Sequence, residues 1–314
     1  MLYSCAIYLS SGLSHVASRA AEAARRIPKV AVVDTFTDTA YARSSVKLVA
    51  EAEPLVRAAE AVANDALSQL DLSKEPHPAP HPRQGAVDMI SFMPLSEQRA
   101  SAIEDDLNAC EECAWQLGAR LGAVDAEAGT PVLMYGRRAG RTLVETRRGT
   151  HFFRSTKAEE RRPDPFCSLK PDFAPKGMVS WTDDYIQHEA DHHGPCYILP
   201  RHLGVSIIGV QTYVTNFNVC VEGASLEQCK AAAAALRSKH GVQVMALPHE
   251  GETIEIGCNL QASDTVDSPS REAVLSCLRE SLPESAGIPK SYVIGLTPDD
   301  ARQKGEEQLR QQNT

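Results

Sequence analysis

The sequence predicts an α+β fold of two split β-α-β (ferredoxin-like) subdomains, each an antiparallel-rich sheet with helices on one face. Two observations carry this. Short apolar runs and longer runs of helical periodicity alternate as β-α-β-β-α-β from Leu2 to Met93, with one extra α-β behind them. The same order returns between Gln211 and Leu296. No residue-level repeat links the halves, so the duplication is one of pattern. Two such sheets leave a cleft between subdomains, the expected place for a ligand.

Each element has a local reason. Leu2 to Leu9 is an apolar strand broken by Ser10-Ser11-Gly12, and Ser14 is the expected cap of a helix running to Ile27. Lys29 to Phe36 and Ser44 to Ala50 are strands. Glu53 to Leu70 is a helix, with Leu55, Ala58, Ala59, Val62, Ala66 and Leu67 on one stripe. A polar, Pro-rich loop from Ser73 to Gly85 leads into a strand, Ala86 to Met93, then a helix, about Glu97 to Leu121, and a strand, Pro131 to Tyr135. The second half reads as strand Gln211–Val221, helix Ser225–His240, and strands Val242–Leu247 and Thr253–Leu260. Helix Ser270–Leu282, strand Ser291–Leu296 and helix Pro298–Gln311 complete it. The expected division is a first subdomain at 1–173, a connecting segment at 174–203 and a second subdomain at 204–314.

Composition narrows the function classes. Of 314 residues, 43% are hydrophobic and 23% charged, the balance of a globular protein. Lys plus Arg total 32 against 41 Asp plus Glu, a net charge of −9, so no basic face for nucleic acid is expected. No apolar stretch reaches the ~20 residues that cross a bilayer. The start, Met1 to Leu9, has no basic region ahead of an apolar one, and a cytoplasmic protein is the expectation. Nine scattered cysteines fit reduced thiols. Cys110 and Cys113 form a lone CxxC inside a helical run and read as core packing, and no glycine-rich nucleotide loop occurs.

The most informative segment is Glu75-Pro-His-Pro-Ala-Pro-His-Pro-Arg-Gln-Gly85. Alternating prolines hold their neighbours extended and present His81 on a stiff arm. A histidine near its free pKa is a proton acceptor at neutral pH. Arg83 is suited to pair a carboxylate, and Gly85 permits close backbone approach. Composition alone equally fits a solvated polyproline connection.

His81-Pro-Arg-Gln-Gly-Ala-Val-Asp88, followed by Phe92-Met-Pro-Leu95, resembles the His-Pro-Arg-x-Gly-x-x-Asp…Phe-x-Pro segment of the glutamate formiminotransferase family. In the same order, Val132-Leu-Met-Tyr-Gly136 is similar to a family strand ending in Tyr-Gly. Lys170-Pro-Asp-Phe-Ala-Pro175 is similar to its folate loop, with Ala174 where glycine is usual. Gly204 to Gly209 and Asn216-Phe-Asn218 resemble the strands that follow, and Met245 to Leu260 looks most like the short plant and algal members without a cyclodeaminase half.

The resemblance implies transfer of a formimino (or formyl) group from N-formiminoglutamate to N5 of tetrahydrofolate, the co-substrate, with His81 as general base. It implies Asp88 as a partner that orients the imidazole, although Asp88 equally fits a turn cap. Arg43, Arg83 and Asn218 are the implied substrate contacts, with a surface ion pair as the other reading of Arg43. Asp172, Ala174, Pro175 and Gly204 are the implied folate contacts. A homodimer acting on small molecules, with no metal, is expected. Two departures bear on the site. Tyr8-Leu-Ser-Ser-Gly12 stands where the family has Asn-Phe-Ser-Glu-Gly, and Pro80 stands where an acid precedes the histidine. They keep open a second reading, a folate-binding or scaffold protein that has lost transfer.

A third reading comes from the segment between the halves. His188 and His192 stand i, i+4, with Glu189 and Asp191 between them and His193 and His202 beyond. On a helix face that spacing suits zinc. A solvated insert is the favoured reading of the same segment.

Overall fold

The computed structural model describes residues 1–39, 42–74, 83–96, 104–123, 129–150, 166–182, 196–249, 253–262 and 267–312. The chain opens with strand β1 (Tyr3–Leu9), helix α1 (Ser14–Arg25), strands β2 (Val30–Asp38) and β3 (Arg43–Ala50), and helix α2 (Ala52–Gln69). There follow β4 (Val87–Pro94), α3 (Glu104–Leu121), β5 (Val132–Tyr135) and the short α4 (Leu143–Arg148). Three small strands, β6 (Phe166–Cys167), β7 (Ser180–Thr182) and β8 (Cys196–Ile198), precede β9 (Ser206–Val210). The rest is β10 (Thr215–Glu222), α5 (Leu226–His240), β11 (Gln243–Pro248), β12 (Ile254–Leu260), α6 (Arg271–Ser281), β13 (Gly287–Ile294) and α7 (Pro298–Gln311).

The split β-α-β expectation holds in both sheets. The first runs β2-β3-β1-β4-β9-β5 and the second β11-β12-β10-β13. Numbered within each half, both contain the order 2-3-1-4. The second sheet is antiparallel throughout. The first is antiparallel at β2–β3 and β1–β3, but β9 lies parallel to both β4 and β5. The reason is the helical crossover through α3, which returns the chain in the direction of β4.

The chain divides into two compact units: Met1–Met93, Leu107–Gln211 and Arg302–Thr314 form the first, Pro94–Asp106 and Thr212–Ala301 the second. This corrects the expected placement of two segments. Residues 204–211, assigned from sequence to the second subdomain, include β9, an interior strand of the first sheet. The end of α7 also belongs to the first unit, where Gln308 donates to the Val32 carbonyl at 3.1 Å. The unbroken strand expected from Gln211 to Val221 is interrupted between β9 and β10. Gln211 N bonds to Phe92 O at 3.2 Å as the last rung of the β4–β9 ladder, and the Tyr213 hydroxyl donates to Leu296 O at 3.1 Å before β10 begins.

Each unit has its own core. In the first, Ile7, Leu9, Leu48, Leu55 and Ile90 are fully buried, each contributing roughly 1.5–3 kcal/mol of apolar burial. In the second, Val219, Val221, Ile256, Leu236 and Leu278 do the same work between sheet and helices. Ser225 and Gln228 form a capping box at the start of α5, and Gly241 (φ 67°) ends it. Ser14 is not a cap: Leu13 takes that position, and Ser11 Oγ accepts from Leu13 N at 3.2 Å. Cys110 and Cys113 are buried, as their helical run predicted, and the Cys113 thiol is pushed up to about 11 by burial and by Glu112. No disulfide joins any of the nine cysteines. No described helix is long and apolar enough to cross a membrane.

Candidate active site

The site begins where the chain enters β4. Gly85 and Gly204 form an antiparallel bridge, with Ala86 N donating to Leu203 O at 2.8 Å and Val205 N to Gln84 O at 3.0 Å. Gly204 has φ +69°, and a Cβ there would lie 2.2 Å from the Gln84 carbonyl oxygen. A Cβ on Gly85 would lie 2.4 Å from Val205 O. Two backbones therefore cross at a distance only glycine permits. From β1, Ser10 N donates to Ala86 O at 2.9 Å and Ser10 Oγ to Gly85 O at 2.6 Å. Arg83, read from sequence as a carboxylate clamp, is 1% exposed, and its Nη1 lies 3.4 Å from Ser10 O. Its guanidinium is inside the protein, tying β1 to the loop.

Asp88 organises this corner. It is fully buried. Oδ1 accepts from Gln84 N at 2.5 Å and Gly85 N at 3.3 Å, so it caps the turn. Oδ2 accepts from Arg43 Nη1 at 2.6 Å, and only 12% of the Arg43 side chain is exposed. The surface-pair reading of Arg43 gives way to a buried pair. Burial opposes the charge on Asp88, yet Arg43, Arg147 and the Gln84 amide outweigh it and hold the carboxyl below its ordinary value. His81, two residues ahead of Arg83, lies outside the described residues, as do Pro80 and the histidines at 188, 192 and 193. His202 is described and exposed, with its carbonyl accepting from Leu72 N at 2.8 Å.

Side chains alternate along a strand, so the face opposite the helices carries Tyr8 of β1, Met89 and Ser91 of β4 and Tyr135 of β5. This face is unusually polar. Ser91 Oγ lies 2.7 Å from the Tyr135 hydroxyl and accepts from Gln211 Nε2 at 3.2 Å. Arg147, from the last turn of α4, places Nη2 3.4 Å from Met89 Sδ, and its buried Nε has no partner among the described residues. Burial raises the Tyr8 phenol despite the pull of Arg147 and Arg43, and burial likewise raises Tyr135. Both stay neutral donors at physiological pH. Two cations, two neutral phenols, a serine and an amide can receive an anionic, hydrogen-bonding ligand. Arg147 was missed from sequence because nothing adjacent marks it: it is one of several arginines after Gly136, and only the turn of α4 aims it at the sheet.

The remaining expected residues have clear places. Asp172 Oδ2 accepts from Met134 N at 2.7 Å and pairs with Arg141, whose Nε donates to Met134 O at 2.8 Å. Val132 N donates to Phe173 O at 2.8 Å, so residues 172–173 run along β5 as an added edge. Phe173 meets Trp115 edge-on at 5.6 Å and sits against Gly118 of α3 and Gly122 just past its end. Pro175 is buried, Ala174 half-buried, and Pro175 O closes a turn with Met178 N at 3.1 Å. Asn218 belongs to the second unit, on β10, where it hydrogen-bonds the Tyr292 hydroxyl.

A family model described as the formiminotransferase domain, N-terminal subdomain, matches residues 2–181. With the fold, this defines the class as an α+β group transferase. A formiminotransferase cyclodeaminase-like protein of Arabidopsis thaliana is 27% identical over 95% of this chain and 94% of its own length. A glutamate formimidoyltransferase of Thermoplasma acidophilum is 26% identical over 71% of this chain and 63% of its own. A formimidoyltransferase-cyclodeaminase of Sus scrofa is 29% identical over 57% of this chain and 31% of its own. The chain belongs to the formiminotransferase family.

Proposed function

We propose that this chain is a folate-dependent enzyme moving a formimino group from N-formiminoglutamate to N5 of tetrahydrofolate. Family membership supports the class. The observation that carries the site is the buried Arg43–Asp88 pair, whose carboxylate fixes the Gln84 and Gly85 amides just behind the His81-Pro-Arg segment. A buried carboxylate that fixes the backbone just after the His81 segment is the kind of support a positioned general base needs. In the reaction N5 attacks the amidine carbon and its proton passes to His81. The tetrahedral adduct then expels the glutamate nitrogen, which takes a proton back, so the group moves with no net redox change. Arg43 is the proposed source of positive potential, and Arg147 the anchor for a substrate carboxylate. Asp88 acts through the turn, as a positioning residue. Asp172, Ala174 and Pro175 are proposed to form a folate rim along β5.

The test is a spectrophotometric assay with both substrates, following the 5,10-methenyl product after acid treatment. Turnover is expected, and His81→Ala should lose it while retaining folate binding. Unchanged turnover in that variant removes His81 from its role, and a wild-type chain that shows no turnover and binds no folate overturns the function. Arg147→Ala is expected to raise the KM for the formimino donor by more than ~10-fold, since a desolvated charged hydrogen bond is worth about 1.5–3 kcal/mol. An unchanged KM would dismiss it as the anchor.

A second reading, folate binding without transfer, is favoured by one observation. Ser11, at the position of the family's acid, is buried, and its Oγ accepts from Leu13 N in the turn ahead of α1. Tight folate binding with no turnover would establish that reading.

A further inference from the structure

The face of the second sheet opposite its helices carries three different donors at one place. Cys220 on β10 and Glu255 on β12 are direct cross-strand partners, and their neighbours Val219, Val221, Ile254 and Ile256 point the other way into the core. His249 follows β11, which pairs with β12 on its far side, and its amide closes the hairpin by donating to Thr253 O at 2.9 Å. The Cys220 thiol sulfur, an imidazole nitrogen of His249 and a carboxylate oxygen of Glu255 all lie within 4.8 Å of one another. His249 Nε2 stands 3.9 Å from Glu255 Oε2, and its side chain is 37% exposed, so the ring can turn toward the pair.

We propose that Cys220, His249 and Glu255 form a site for a divalent transition-metal ion, zinc by preference, with a fourth position open to water or a small ligand. The chemistry favours this over a chance cluster. One thiolate, one imidazole and one carboxylate are a borderline-soft set that takes zinc and rejects magnesium and calcium. A second observation supports the site. The Tyr292 hydroxyl, from β13, hydrogen-bonds Glu255, the kind of outer support that orients ligating carboxylates. Lys290, the cross-strand partner of Cys220 on β13, is held over the Tyr292 ring at 4.6 Å. The site lies outside the segment at 188–202 on which the sequence placed its metal candidate.

The test uses the full chain, stripped with chelator, kept reduced, and titrated with Co²⁺ as a spectroscopic stand-in and then with Zn²⁺. One equivalent of Co²⁺ is expected to give a thiolate-to-cobalt charge-transfer band that Zn²⁺ displaces. His249→Gln, an exposed change that leaves the fold intact, should abolish the band. Tyr292→Phe should weaken binding by ~10–100-fold, the usual cost of losing an outer-shell partner. A cobalt complex lacking the thiolate band overturns the proposal. So does binding that His249→Gln leaves unchanged, or binding lost only when His188 and His192 are replaced.

Discussion

Asp88→Ala is expected to lower the free energy of unfolding by about 3–5 kcal/mol, the range for breaking a buried ion pair from one side. The variant takes the Asp88 carboxylate away from Arg43 and strips the Gln84 and Gly85 amides of that acceptor at the mouth of β4. Urea unfolding followed by circular dichroism reads the effect, and a loss under ~1 kcal/mol would place the pair with weak surface bridges. Adding Arg43→Met should recover part of the loss, because the charge that Asp88 had neutralised goes with it. The pH dependence has a definite sign. Asp88 titrates below its ordinary value of about 3.9, so its contribution is fully present above that pH. It is lost as the pH falls through the lower native value. The acid limb of wild-type stability below about pH 4 should therefore be shallower in Asp88→Ala. Turnover should fall as well, since the turn that carries the His81 arm is released.

Gly204→Ala is the second large effect, expected at about 2–5 kcal/mol. A left-handed backbone costs an alanine roughly 1–2 kcal/mol. The added carbon would also stand 2.2 Å from Gln84 O, a backbone atom that cannot swing aside, and relieving such an overlap costs about 1–3 kcal/mol more. Gly140, which has a similar positive φ (+66°) and nothing within 4 Å of a built Cβ, is the control. Gly140→Ala should show the backbone part alone. Equal losses in the two variants would mean that the crossing at Gly85 is not tight.

Much of this was legible in the sequence, for identifiable reasons. β1 to β4 and β10 to β12 were found because apolar alternation and capping residues act locally. β9 was not assigned to its sheet, because its buried run, Ser206 to Val210, says only that both faces are covered and nothing about which strands cover them. β13 was begun too late, at Ser291, since Pro289 reads as a break. In the structure it sits on an edge strand, where the ladder with β10 shifts between Cys220 and Glu222. Strands of two or three residues, such as β6 to β8, leave no periodicity to detect. Arg43 and Asp88 were both singled out, but their pairing across 45 residues was not. Arg83 was read as a ligand contact from its residue type. Its burial depends on where β1 ends, which no local signal states.

The position of β9 bears on how the protein is made. Between β4 and β5 the first sheet keeps a slot one strand wide, filled only by residues 206–210, while the last turns of α7 supply a further part of the same unit. A nascent chain emerging from the ribosome thus carries a first unit with an open parallel edge on each side of that slot until β9 appears, and an unfinished surface until α7 appears. The second unit draws nearly all its residues from one contiguous stretch, 212–301. Its short sequence separations favour quick closure, so the unit encoded later is the one able to finish first. The first sheet is closed by β9 before the second unit is made, yet the first unit still waits for α7, so the unit encoded later is complete ahead of it.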